Sequence, residues 1–182
     1  DRIRGGAGND TIHGDDSLGF VTGGGIAEHA DHIEGGAGYN TIYGGPGFDI
    51  IYATTEEDGV AGTAGGSRLY AGSISFVSGM FASFIDGGDG NDTLYGTAGR
   101  DYLAGGFEAD SIEGGAGGDF VNAGPGNDAV IVAAGNAQLY LGDGNDVADG
   151  GPGDTWIEGG PGDDRIFARE GADTVYGGST AR

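Results

Sequence analysis

The sequence contains no cysteine and no lysine, and its 182 residues include one methionine, one tryptophan and four prolines. Without cysteine the chain forms neither disulfides nor thiolate metal sites. All seven basic residues are arginine and 29 residues are acidic, which gives a net charge of −22. Because a chain this acidic offers no basic patch to a polyanion, we expect no nucleic acid partner.

Long apolar runs are also missing. No stretch approaches the ~18 apolar residues of a membrane-spanning helix, and the first residues do not have the pattern of a signal peptide. The sequence therefore predicts no membrane span. The chain begins at position six of the repeat unit described below, so we expect it to be a segment of a longer protein.

Glycine is abundant, with 45 residues, and it recurs with a period of nine. Collagen requires glycine at every third residue, so this spacing excludes it. Residues 87–176 form ten consecutive nine-residue units without insertion or deletion, and their shared template is Gly-Gly-x-Gly-x-Asp-x-apolar-x. We number the positions of each unit from its first glycine. A fixed period of this kind predicts a solenoid of stacked repeats.

Position eight of nearly every unit is apolar. One inward side chain between two outward ones predicts a three-residue strand, with the six preceding residues forming a glycine-dependent turn. One unit buries too little to fold alone, so stacked units should share a narrow core. The core column consists of Ile12, Val21, Ile33, Ile42, Ile51, Val60, Leu69, Ile85, Leu94, Leu103, Ile112, Val121, Val130, Leu139, Ala148, Ile157, Ile166 and Val175.

Aromatic residues occupy position nine of several units, which should place them on the outside. They are Tyr43, Tyr52, Tyr95, Tyr140, Phe167 and Tyr176, with Trp156 at position seven. One interpretation is that they stack along the strands and shield the sheet face. The other is that they form an adhesive face for a partner, a glycan or a second copy of the chain.

The two halves of the chain differ in regularity. Residues 1–86 follow the template irregularly, with an insertion at 23–25 and an apolar stretch at 71–86 that departs from the frame. Residues 87–182 follow it regularly. We expect one continuous solenoid with an irregular first half and a regular second half.

The turns combine backbone carbonyls with a carboxylate at position six. Carbonyl and carboxylate oxygens are hard ligands, and Ca²⁺ takes about six to eight of them. Zinc prefers histidine or cysteine, which this chain does not offer in a suitable pattern. The repeat therefore predicts calcium binding.

Units such as Gly5-Gly6-Ala7-Gly8-Asn9-Asp10-Thr11-Ile12-His13 resemble the calcium-binding nonapeptide of the repeats-in-toxin (RTX, haemolysin-type) family. The resemblance implies an all-β fold, a right-handed parallel β-roll in which two nonapeptides form one turn and strands alternate between two facing sheets. It also implies Ca²⁺ ions between loops eighteen residues apart. One loop would supply the carbonyls of positions two and four and its aspartate; the next would supply the carbonyls of positions one and three and its aspartate.

Transferred to this sequence, the resemblance implies four calcium sites on one edge of the roll. The acids of this first edge are Asp92, Asp110, Asp128, Asp146 and Asp164. The implied carbonyl ligands are, site by site, Gly88, Gly90, Gly105 and Phe107; Gly106, Glu108, Ala123 and Pro125; Gly124, Gly126, Leu141 and Asp143; and Gly142, Gly144, Gly159 and Pro161. Glu108 stands where the template has glycine.

The second edge has an interrupted acid column. It carries Asp101 and Asp119, then Ala137 and Thr155, and finally Asp173. We expect one site there, between Asp101 and Asp119. The implied carbonyl ligands of that site are Thr97, Gly99, Gly114 and Ala116.

The irregular half has a less complete set of acids. If strand alternation survives the insertions, Asp31 and Asp49 share an edge, with Asp10 one turn before them. A further site between Asp31 and Asp49 is therefore expected.

Without calcium, stacked carboxylates would repel one another and one apolar residue per strand would not offset the repulsion. We expect a calcium-triggered fold that is non-catalytic by itself, and the resemblance implies a secreted, extracellular bacterial protein exported by type I secretion. Its expected partners are calcium and neighbouring domains of a longer chain. The alternative is a structural subunit, such as a surface-layer, adhesin or filament protein, that stacks head to tail as a homo-oligomer.

Overall fold

A computed structural model of the chain describes residues 2–7, 11–13, 32–37, 41–44, 50–52, 59–61, 68–70 and 84–178. The described residues form eighteen β-strands and no helix. This confirms the all-β class. No described segment forms a helix long and apolar enough to cross a membrane.

The strands are three or six residues long. They are β1 Arg2–Ala7, β2 Thr11–His13, β3 His32–Ala37, β4 Thr41–Tyr43, β5 Ile50–Tyr52, β6 Gly59–Ala61, β7 Arg68–Tyr70, β8 Phe84–Asp89, β9 Thr93–Tyr95, β10 Tyr102–Phe107, β11 Ser111–Ala116, β12 Phe120–Asn122, β13 Ala129–Ala134, β14 Gln138–Tyr140, β15 Val147–Asp149, β16 Trp156–Glu158, β17 Arg165–Phe167 and β18 Thr174–Tyr176.

The strands alternate between two nine-stranded parallel sheets, one of odd-numbered strands and one of even-numbered strands. In the even sheet Leu103 pairs with Ile85 and with Val121, each eighteen residues away. Two nonapeptides therefore make one turn, and the predicted parallel β-solenoid is confirmed. The longer strands, such as β10, extend beyond the predicted three residues because the glycines that follow also pair, Gly106 with Gly88.

Position-eight side chains fill the space between the sheets. Leu94 of the odd sheet and Leu103 of the even sheet are fully buried, as are most members of the predicted column. Val175 differs, being 44% exposed, because β18 is the outermost described strand of its sheet.

The first turns of the roll are longer in sequence than the regular ones. Ile3 pairs with Ile33 and Ile12 pairs with Ile42, so successive partners here lie thirty residues apart rather than eighteen. The excess of twelve residues equals the unit at 14–22 together with the insertion at 23–25. Val21, which the sequence places in the core column, lies outside the described residues.

The second irregularity is shorter than its predicted bounds of 71–86. Leu69 pairs with Leu94, twenty-five residues on, so seven residues are additional to a regular turn. Strand β8 begins at Phe84, and Ile85 pairs in register with Leu103. Residues 84–86 therefore belong to the regular roll, and 71–83 lie outside the described residues.

An aromatic ladder runs along the outer face of the even sheet. It consists of Phe84, Tyr102, Phe120, Tyr140, Trp156 and Tyr176, with successive ring centroids 4.8, 5.1, 5.1, 4.7 and 5.7 Å apart. The first three occupy position seven, like Trp156, and were not among the aromatic residues named from the sequence. Because the rings contact one another along the sheet, this arrangement favours shielding of the strand face.

Candidate metal centre

Glycine at positions two and four lets loops on the same edge stack directly. Gly106 has φ of 115°, and a Cβ atom there would collide with the carbonyl oxygen of Gly88 in the loop below. Gly144, with φ of 147°, meets the carbonyl of Gly126 in the same way. A side chain would therefore hold the loops apart, and glycine allows the carbonyls of one loop to reach the next.

The first edge brings its predicted acids into one column. The amide of Asp92 donates to Asp110 Oδ1 at 2.8 Å, and that of Asp110 donates to Asp128 Oδ1 at 2.8 Å. The amide of Asp128 donates to Asp146 Oδ1 at 2.8 Å, and that of Asp146 donates to Asp164 Oδ1 at 3.0 Å. Each carboxylate thus joins its own loop to the loop before it.

The second oxygen of these carboxylates is buried without a hydrogen-bond partner. This holds for Oδ2 of Asp110, Asp128, Asp146 and Asp164. The first three residues are 3%, 1% and 1% exposed. Buried carboxylate oxygens are normally paired, and leaving them unpaired is costly. A row of such oxygens fits a row of cations.

The column is strained electrostatically at neutral pH. Burial raises the pKa of Asp110 to about 7; the hydrogen bond from the Asp92 amide offsets part of this effect, and the carboxylates of Asp92, Asp128 and Glu108 add to it. Burial likewise raises the pKa of Asp128 to about 6 and raises that of Asp146. Bound cations would relieve both the desolvation and the repulsion.

The implied carbonyl ligands of the first edge all lie in its five stacked loops, 87–92, 105–110, 123–128, 141–146 and 159–164. Several already accept a backbone hydrogen bond from the loop before: Phe107 at 3.3 Å, Ala123 at 3.0 Å, Leu141 at 3.1 Å, Asp143 at 2.8 Å and Pro161 at 2.9 Å. A carbonyl oxygen has two lone pairs, so one remains for a cation.

Acidic side chains alone do not complete a site. No three acidic or histidine side chains converge around a possible metal position among the described residues. A cation on this edge must therefore draw on backbone carbonyls as well as on two aspartates, which is the hard-oxygen mixture that Ca²⁺ prefers.

On the second edge, the predicted pair has similar geometry. The Asp101 amide donates to Asp119 Oδ1 at 3.0 Å, and Oδ2 of Asp119 is buried without a partner. Burial raises the pKa of Asp119 to about 7. The amide and hydroxyl of Thr97 donate to Asp101 Oδ2 at 2.6 and 2.9 Å, and the carbonyl of Thr97 accepts from the Ala116 amide at 2.9 Å.

A family model, the RTX calcium-binding nonapeptide repeat (4 copies), matches residues 1–17, 27–60, 81–112, 95–130, 105–139, 113–148, 123–157 and 149–180. These matches cover more than half of the chain. The chain belongs to the RTX calcium-binding nonapeptide repeat family. Neither the curated proteins nor the solved structures give a significant match.

The RTX repeats of the second edge are interrupted by uncharged side chains. Val132 and Ala137 are each 2% exposed, and they fill the interior of the loop at 132–137. Thr155 is 1% exposed; its hydroxyl donates to the Gly150 carbonyl at 3.1 Å, and its amide donates to Asp173 Oδ1 at 2.9 Å. This part of the edge is closed by apolar packing and hydrogen bonds.

An ion pair that the sequence interpretation missed ties the last loops of this edge. Arg169 stands at position two, normally glycine, and has φ of 75°. Its Nε donates to Asp149 Oδ1 at 2.7 Å, and a second nitrogen contacts Asp149 Oδ2. The hydrogen bonds from Arg169 lower the pKa of Asp149. The sequence feature that could have revealed this ion pair is an arginine at a position that is normally glycine.

Asparagines at position five form a second ladder that was also missed. On the first edge, Oδ1 of Asn91 accepts from the Ala109 amide at 2.9 Å, and Oδ1 of Asn127 accepts from the Asn145 amide at 2.8 Å. Asn145 in turn accepts from the Asp163 amide at 2.8 Å. The sequence feature that could have revealed this ladder is the recurrence of asparagine directly before the position-six aspartate.

The remaining predicted acids, Asp10, Asp31 and Asp49, lie outside the described residues. The strands that follow Asp31 and Asp49, β3 and β5, are neighbours in the odd sheet, as the predicted shared edge requires. Strand β2, which follows Asp10, belongs to the even sheet. The expected site between Asp31 and Asp49, with Asp10 one turn before them, therefore stays a prediction.

Proposed function

We propose that this chain is a calcium-binding β-roll segment of a secreted bacterial protein, that it folds when calcium binds outside the cell, and that it is non-catalytic by itself. The observation that carries the proposal is the buried acid column of the first edge. Oδ2 of Asp110, Asp128, Asp146 and Asp164 has no hydrogen-bond partner there. Calcium ligation would by itself account for these unpaired oxygens.

The apolar core and the negative charge of the chain have opposite effects on folding. Most of the described strands bury one position-eight side chain, whereas the chain carries a net charge of −22. Burying one side chain such as Leu103 contributes about 2 kcal/mol before conformational entropy is subtracted. Ionised carboxylates stacked at neutral pH oppose that gain. Calcium would neutralise the column and crosslink successive loops, so its binding free energy would become folding free energy.

Each first-edge ion would lie between two loops eighteen residues apart. For the site between Asp128 and Asp146, the ligands would be those carboxylates, the carbonyls of Gly124 and Gly126, and those of Leu141 and Asp143. The second-edge site would use Asp101 and Asp119. The loop before Asp173 carries Thr155 instead of a second aspartate, so we assign no complete site to Asp173.

The calcium concentration inside and outside the cell would determine where the chain folds. Sites of the extracellular class bind at about 10⁻⁴–10⁻³ M, above cytosolic calcium levels. The segment would remain expanded during synthesis and export and become compact outside. Membership of the RTX family supports this interpretation, since these repeats are typical of secreted bacterial proteins.

A circular-dichroism titration tests the proposal. Calcium-depleted protein should show little β-structure and should gain it cooperatively as Ca²⁺ is added. Mg²⁺, which is smaller and loses its water reluctantly, is the matched control and should have little effect. A full β-spectrum in chelator, unchanged by calcium, would contradict the proposal.

A further inference from the structure

Glu108 is the one exception to glycine at position four within residues 87–176. It nevertheless adopts the turn conformation that glycine favours, with φ of 72°. Among the described residues, the only other non-glycine residue with positive φ is Arg169. Glutamate is strained in this region, so a compensating contact is expected.

The Glu108 side chain reaches back to the preceding loop of the first edge. Its Oε2 accepts a hydrogen bond from the Gly90 amide at 2.9 Å. In the regular loops, the equivalent amides donate to position-three carbonyls: Gly126 to Asp143 at 2.8 Å and Gly144 to Pro161 at 2.9 Å.

The Gly90 amide is therefore shared between two acceptors. It lies 3.3 Å from the Phe107 carbonyl, whereas the equivalent bonds from Gly126 and Gly144 on the same edge are 2.8 and 2.9 Å long. Phe107 is one of the implied ligands of the first calcium site. Its carbonyl oxygen is therefore less committed to the backbone than its counterparts and more available to a cation.

The charge of Glu108 acts on the same site. Its carboxylate lies against the Gly90 amide, in the loop that carries Asp92. Asp110 is 3% exposed, and its Oδ2 is buried without a hydrogen-bond partner. The first site thus combines an unpaired buried oxygen with a third negative charge close by.

From these contacts we infer that Glu108 is a positioning residue that strengthens calcium binding at the site between Asp92 and Asp110. It does so by holding the Gly90 amide, which frees the Phe107 carbonyl, and by adding negative charge. Glu108 acts through these groups and is not itself one of the two aspartate ligands. The inference rests on the proposed function.

The test is a double-mutant cycle read by calorimetric titration with CaCl₂ at neutral pH. Asp92 belongs to the first site alone, so Asp92→Asn weakens that site. Glu108→Gly should weaken the tightest binding step about tenfold, in the range for residues that orient metal ligands. Glu108→Gln, which keeps an acceptor but loses the charge, should fall between. In the Asp92→Asn background, Glu108→Gly should have little further effect.

Glu113→Gln is the matched control, since Glu113 is an exposed acid on an outer sheet face, and it should bind calcium as the unmodified chain does. A purely structural role predicts the opposite sign, because glycine relieves the strained φ and would leave binding equal or tighter. That result, or additive effects of Asp92→Asn and Glu108→Gly, would overturn the inference. Absence of calcium binding by the unmodified chain would instead overturn the proposed function.

Discussion

The two edges of the roll are built from loops of the same length, yet they are closed by different chemistry. On the first edge, an aspartate recurs at every turn of the regular part, and buried Asp128 and Asp146 each keep an oxygen without a partner. On the second edge, Val132, Ala137 and Thr155 occupy the corresponding interior. The shared backbone therefore does not require an acid in each loop.

This difference between the edges shows that separate sets of residues determine the geometry of the solenoid and its expected dependence on calcium. Loop stacking depends on glycine at close approaches such as Gly106 against Gly88, whichever edge is considered. Calcium dependence depends on the acids. We therefore expect calcium to act mainly through the first edge and the start of the second, with the rest of the second edge held by calcium-independent contacts.

Asp128→Asn should have the largest effect, because Asp128 is shared by two implied sites. The amide oxygen of the new side chain can still accept from the Asp110 amide, so the main loss is charge. At a calcium concentration 100 times its Kd, one site stabilises the folded chain by about 2.7 kcal/mol. Losing two sites therefore lowers the free energy of unfolding by about 5 kcal/mol. Urea unfolding in excess calcium measures this loss.

Asp163→Asn is the control for that experiment. Asp163 is an exposed position-five acid, and position five of the same edge is asparagine at Asn91, Asn127 and Asn145. The control should change stability by less than about 0.5 kcal/mol, as expected for an exposed surface change. Equal losses in both variants would contradict the assignment of the acid column.

Acidification of the calcium-free protein should favour folding. The folded-state pKa is raised to about 7 for Asp110 and Asp119 and to about 6 for Asp128, above the usual 3.8. Their contribution to folded-state stability is present below pH 3.8 and is lost as pH rises through about 6 to 7. Circular dichroism of dialysed protein should therefore show β-structure increasing from pH 7.5 towards about pH 5.5.

With saturating calcium the pH trend should reverse, because protons compete with calcium for the same carboxylates. Calcium-free protein whose spectrum does not change over this interval would show that the buried acids do not limit folding.

Thr155→Val should have a smaller effect that does not depend on calcium. It removes the hydrogen bond from Thr155 to the Gly150 carbonyl and leaves that acceptor unpaired, which costs about 1 kcal/mol. Thermal unfolding should give the same loss at two saturating calcium concentrations, with unchanged calcium stoichiometry. A loss that grows with calcium would place a cation at this interrupted part of the edge.

Arg169 variants should have the smallest effect. Arg169→Ala removes the partly exposed ion pair with Asp149, and pairs screened by solvent contribute little to stability. Arg169→Gly loses the same pair but suits the positive φ, so it should be the more stable of the two variants. The order of their unfolding midpoints in urea checks this, and the reverse order would show that φ strain is negligible here.

The sequence was sufficient to predict the period, the core column and the unequal edges of the regular half. Each of these depends on spacing, and Leu94, Leu103 and Asp110 are placed as their spacing requires. The thirty-residue spacing between Ile12 and its partner Ile42 could not be predicted, because Val21 keeps the apolar position of the repeat in the sequence. Contacts made by irregular residues, such as Arg169 with Asp149, depend on side-chain reach across turns and leave no periodic signal.

The aromatic ladder has an optical consequence. Trp156 is the only tryptophan, and its ring centroid lies 4.7 Å from that of Tyr140 and 5.7 Å from that of Tyr176. Excitation absorbed by these tyrosines should therefore pass to one emitter near the end of the even sheet. The assembled roll carries its own fluorescent reporter, and the ratio of tyrosine to tryptophan emission would reveal when the last turns come into register.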